Sequence, residues 1–98
     1  MLKIKRPNNL IKGKFLTSRG YCAVGWLARA VDISDDTLER EFAPSIVCNI
    51  KEELNKYSIK VSEREIFDLL HSNDLVKNST DRIHNFVYWC ENNGIEVD

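Results

Sequence analysis

The sequence predicts an all-α fold, a compact bundle of about five helices over residues 21–98, preceded by an irregular basic segment over residues 1–20, all in one domain. Three observations carry that reading. Beyond residue 20, apolar side chains recur at i, i+3, i+4 and i+7, the period of a helix face turned to a core. Helix start and stop signals bound these windows, with Ser or Pro in front and Gly behind. Strand-like alternation is nearly missing: only Tyr57 to Val61 hints at it, and that run is too short to anchor a sheet. A chain of 98 residues, 43% apolar and 30% charged, has globular composition. It should bury somewhat under ~70% of its unfolded surface, enough for one core without disulfides or metal.

Taken in order, the first segment is rich in turn formers: Pro7, Asn8, Asn9, Gly13 and Gly20. They predict extended or irregular chain with at most one short helix around Asn9 to Lys12. Val24, Leu27, Ala28 and Val31 then mark the first helix, which Asp32-Ile33-Ser34 ends. Ser34 reads as the N-cap of a short second helix, with Asp35 and Asp36 at its positive end and Leu38 and Phe42 as its apolar side. Pro44 opens a third, with a stripe of Ile46, Val47, Ile50, Leu54 and Tyr57. Ser62 and Glu65 form a capping box ahead of Ile66, Phe67, Leu69 and Leu70. Ser79 or Thr80 caps the last helix, whose stripe is Ile83, Phe86, Val87 and Cys90. Gly94 supplies its left-handed stop, after which Ile95 and Val97 fold back on the core.

Charge is unevenly spread. Residues 1–20 hold Lys3, Lys5, Arg6, Lys12, Lys14 and Arg19 and no acid, while the remainder holds fifteen acids against eight bases. A basic arm of this kind points to nucleic acid. The alternative is that the arm lies on its own acidic domain. No apolar run approaches the ~20 residues of a membrane span, and no apolar stretch follows the N-terminal charges as in a signal peptide. The expectation is a soluble, cytoplasmic protein with no membrane partner.

Few residues suggest chemistry. Cys22, Cys48 and Cys90 are odd in number and widely spaced, and His71 and His84 do not pair with them in sequence. That excludes the common zinc and disulfide patterns and leaves free thiols, with no metal and no cofactor expected. Cys22 stands at a helix start, where the dipole and free amides lower a thiol pKa, so a Cys22–His84 or Cys22–His71 pair is the one catalytic candidate. The other reading of Cys22 is a small buried residue opening a helix. Cys48 and Cys90 lie on apolar stripes and are expected in the core. The acid pairs are explained as caps or solvated faces, and the scattered glycines build no phosphate loop. Trp26, Tyr88 and Trp89 fall about one residue off their stripes, where aromatics either widen a core or supply a binding surface.

The segment Tyr21-Cys22-Ala23-Val24-Gly25-Trp26-Leu27 resembles small tailed-phage proteins that carry Tyr-Cys-Cys-Leu-Gly at a helix start. Asn73-Asp74 and Ser79-Thr80-Asp81-Arg82-Ile83 resemble a second feature of those proteins, Asn-Asp followed by Ser-x-x-x-Ile. The two segments cover about a third of the chain. Ala23 stands where the relatives have a second Cys, so no dithiol role carries over. The resemblance implies a phage context rather than an activity. In structural terms Gly25 predicts close contact with the last helix through Ile83, Phe86 and Cys90, Asn73-Asp74 a helix–helix turn, and Ser79 a cap.

Three functions follow. The first is a small non-enzymatic interaction protein, phage-encoded, whose acidic helical body and marginal aromatics bind and modulate a host protein. The second is nucleic-acid binding through the six bases of residues 1–20. The third is a Cys22-dependent hydrolase or transferase.

Overall fold

A computed structural model describes residues 2–98. Five helices build the body: α1 (Ala23–Ala30), α2 (Asp35–Arg40), α3 (Ala43–Asn55), α4 (Glu63–Leu75) and α5 (Ser79–Asn92). Four two-residue strands accompany them: β1 (Lys3–Ile4), β2 (Leu16–Thr17), β3 (Gly20–Tyr21) and β4 (Glu96–Val97). β1 pairs in parallel with β4, and β2 pairs with β3 as a small hairpin. The fold is all-α with a small N-terminal segment. None of the strands lies at Tyr57 to Val61, and residues 9–12 form no helix.

α4 packs against α1, α3 and α5, so it forms the centre of the bundle. Val24, Leu27, Ile46, Ile50, Leu54, Ile66 and Phe86 are fully buried around it. The capping box predicted at Ser62 and Glu65 is present in both directions, and Ser34 caps α2 through the Thr37 N–H. Asn78, one residue before the predicted cap, caps α5 by accepting from the Asp81 N–H at 2.9 Å. Asn competes equally with Ser as an N-cap, and this leaves the Ser79 hydroxyl for another partner.

Three helices stop the same way. Asp32, Ser58 and Gly94 adopt left-handed backbone, with φ of 67°, 61° and 79°. The next residue donates its N–H five residues back: Ile33 to Ala28 O, Ile59 to Leu54 O, and Ile95 to Cys90 O. All three isoleucines are buried. This is the Schellman arrangement, in which the hydrophobic residue after the left-handed one packs on the helix it ends. Gly94 announces it in sequence. Asp32 and Ser58 do not, because a non-glycine residue there accepts strain that the buried isoleucine offsets.

Two aromatic side chains expected on apolar faces are exposed instead. Phe42 is 84% exposed, because it is the extended N-cap residue of α3 rather than a member of the α2 face. Tyr57 is 44% exposed, lying past the last turn of α3.

The basic N-terminal segment is built into the core. Leu2, Ile4 and Leu10 are buried, and β1 runs alongside β4 with Lys3 paired to Asp98 at 3.2 Å.

Candidate functional site

Residues of the segments 21–27 and 73–83 converge on one locus, where they clamp residues 10–15 against the helices. The Cys22 N–H donates to Phe15 O at 3.2 Å. One turn on, Gly25 lies against that same carbonyl: a Cβ there would collide with Phe15 O. The close neighbour of Gly25 is therefore this backbone, not α5 as its flanking residues suggest. Asn73 is buried in the last turns of α4, so Asn73-Asp74 is not a helix–helix turn. Its Oδ1 accepts from Ala23 N–H at 3.2 Å, and its Nδ2 donates to Ile11 O at 2.8 Å. Asp74 Oδ1 accepts from Gly13 N–H at 2.9 Å, and Ser79 Oγ from Leu10 N–H at 2.9 Å. Arg82 Nε donates to Leu10 O at 2.6 Å. A segment without regular secondary structure has many unpaired backbone groups, and these side chains satisfy them.

Cys22 serves this clamp. It is the N-cap of α1, its Sγ accepts from Gly25 N–H at 3.4 Å, and it is fully buried. Burial pushes its thiol up to about 11, against the Gly25 and Val24 N–H groups that favour the thiolate. Desolvation thus overrides the helix start that made Cys22 a nucleophile candidate. His84 and His71 are exposed, and neither is hydrogen-bonded to its sulfur. The Cys22–His84 and Cys22–His71 pairs are not formed. Cys90 is buried and pushed up to about 12. Cys48 departs from expectation: it is only half-buried on α3, with its thiol 3.8 Å from Glu52 Oε1.

Two predictions follow. With an alkylating reagent near neutral pH, Cys48 reacts first, and Cys22 and Cys90 react only on unfolding. Peptide mass spectrometry reads this directly, and fast labelling of folded Cys22 would restore the nucleophile. The pH dependence has a definite sign. An unfolded thiol titrates near its ordinary 9.0, while folded Cys22 keeps its proton to about 11. Above pH ~9 the unfolded state therefore binds fewer protons, and stability falls as pH rises from about 9 towards 11.

The six bases of residues 1–20 do not line one common cleft. Lys3 is paired with Asp98, and Lys3 and Lys5 line a cleft of about 280 Å³ with Tyr21, Trp26 and Arg29. Lys12 and Arg19 line a different cleft. Arg6 and Lys14 are exposed and line neither.

The aromatics separate as well. Trp26 is half-buried: its Nε1–H donates to Lys5 O at 2.9 Å and its ring meets Tyr21 edge-on at 6.0 Å. Its polar atom is thus committed within the fold. Tyr88 is 71% exposed on α5, next to half-buried Trp89. They line a cleft of about 420 Å³ between α4 and α5 with Glu65, Leu69, Ser72, Asn85, Asn92 and Asn93. Among the described residues Glu65 is the one charged residue in that lining, and Asp68 is exposed on the same helix, one turn further on. The sequence marked Tyr88 and Trp89 by their offset from the α5 stripe. The α4 wall, Leu69 and Ser72, gave no signal, because it depends on how the two helices cross.

Among the described residues no helix is long and apolar enough to cross a membrane. Comparison with protein-family models, with curated proteins and with solved structures gave no match.

Proposed function

We propose that the chain is a small non-enzymatic interaction protein that engages a protein partner through the α4–α5 cleft. The observation that carries the reading is Tyr88, a large aromatic 71% exposed on α5 beside half-buried Trp89. Tyr and Trp dominate binding hot spots because they bring large contact area at little entropic cost. Among the described residues the cleft lining has a carboxylate, Glu65, and no base. A partner presenting Lys or Arg beside an apolar side chain suits it, since the cation would meet both the carboxylate and the aromatic faces. The resemblance of residues 21–27 and 73–83 to small tailed-phage proteins makes a basic host protein, in the host cytoplasm, the expected partner. The buried state of Cys22 supports the non-enzymatic side of the proposal.

Tyr88→Ala tests it. Removing a side chain this exposed should move the unfolding temperature little, within the ±0.5 kcal/mol usual for surface changes. It should nevertheless abolish capture of a partner that the unmodified chain retains and that cross-links from position 88. Phe42→Ala, at an even more exposed aromatic outside the cleft, should retain the partner. Equal capture by Tyr88→Ala and the unmodified chain would refute the assignment.

A further inference from the structure

We propose that the cleft between the N-terminal segment and the α4–α5 turn binds a compact polyphosphate group. Lys12, Arg19, Lys77 and Arg82 line it, and among the described residues no carboxylate does. In a chain whose acids outnumber its bases, fifteen to fourteen, that is a local segregation of charge. None of the four is in an ion pair among the described residues. Asp74, on α4, accepts from the Gly13 N–H and the Asn73 amide through Oδ1 and does not line the cleft.

Arg82 makes this a built site rather than a scatter of surface charge. It keeps only 9% of its accessible surface. Its Nε donates to Leu10 O at 2.6 Å and its Nη1 to Val76 O at 2.7 Å. Two main-chain carbonyls therefore fix the guanidinium from behind, while Nη2 has no partner among the described residues. No buried side-chain nitrogen among the described residues lacks a partner, so Nη2 reaches the surface, and the cleft is the surface Arg82 lines. A buried cation without a counter-ion is costly. Backbone carbonyls satisfy its hydrogen bonds but do not neutralise its charge, and an oxoanion would do both.

The lining selects the ligand class. The cleft measures about 540 Å³, within the range of small-ligand sites and larger than one phosphate needs. Among the described residues no aromatic ring lines it for a base to stack on, but Thr17 and Ser18 add hydroxyl donors beside the cations. A long nucleic-acid strand would have to run out over a body with fifteen acids and eight bases. Two or three linked phosphates fit inside the basic lining.

Titration calorimetry of the full chain with inorganic triphosphate at low salt tests the proposal, with a short single-stranded oligonucleotide as second ligand. The side chains of Arg19 and Lys77 are exposed and bonded to nothing among the described residues, so Arg19→Ala/Lys77→Ala should keep the unfolding temperature. It should weaken triphosphate binding roughly tenfold or more, since a hydrogen bond to a charged group is worth about that factor. Lys51→Ala/Lys60→Ala removes the same charge elsewhere and should leave binding unchanged. In a parallel NMR titration, triphosphate should shift the Arg82 Nε–H resonance. Absence of binding, equal weakening by the two double variants, or an oligonucleotide that binds far more tightly than triphosphate would each overturn the proposal.

Discussion

Gly25→Ala is expected to destabilise the protein by about 3 kcal/mol or more, the upper end of overpacking costs. In an open helix the same change would stabilise by ~1 kcal/mol, because glycine is a poor helix former. The sign reverses here because the added methyl would land on Phe15 O. Main chain cannot swing aside as a flexible side chain does, and this carbonyl also accepts the Cys22 N–H. Either residues 11–15 lift from α1, losing that bond and the packing of Phe15, or α1 moves within the core. Chemical denaturation of the parent and of Gly25→Ala measures the difference. A variant as stable as the parent would mean that Phe15 does not sit against α1.

Asn73→Ala is expected to cost about 2–4 kcal/mol. The side chain is 2% exposed and serves two main-chain groups, the buried Ala23 N–H and the part-buried Ile11 carbonyl. Leaving each unpaired costs roughly 1–3 kcal/mol. Asn73→Asp separates the two roles. A carboxylate still accepts from Ala23 N–H, but it turns an oxygen towards Ile11 O and brings a charge into a buried site. It should be at least as damaging as Ala, although it is nearly isosteric. If Asn73→Asp were neutral, the amide would not be bridging the segment to the helix.

How far the fold was legible in the sequence depends on the range of the interaction concerned. The Ser62–Glu65 capping box, the Ser34 cap and the Gly94 stop are local, set within a few residues, and they stand where predicted. The N-terminal segment was not legible beyond its charge and its turn formers. Its order comes from partners far along the chain: Ser79 for Leu10, Asn73 for Ile11, Asp74 for Gly13. Nothing in a helical period reveals that Asn73, on the buried side of α4, reaches main chain instead of turning back on its own helix. Cys22 shows the same limit. Its position at a helix start was readable, but the burial that decides its thiol chemistry depends on Phe15 and Asn73 closing over α1. The clustering of Lys12 and Arg19 with Lys77 and Arg82 was likewise hidden, since the four come from separate stretches of chain.

The central structural claim is that residues 10–25 are locked to α4 and α5 and do not form a detachable basic arm. Native-state hydrogen exchange tests it most directly, through the amides of Leu10, Ile11, Cys22 and Ala23. None of their hydrogen bonds belongs to a helix or a strand ladder: the acceptors are Ser79 Oγ, Tyr21 O, Phe15 O and Asn73 Oδ1. If the clamp belongs to the cooperative core, these amides open only with global unfolding, at the same free energy as Ile50 and Leu54 in α3. If they exchange at much lower free energy while α3 stays protected, the segment detaches on its own, and the account given for Cys22, Gly25 and Asn73 is wrong.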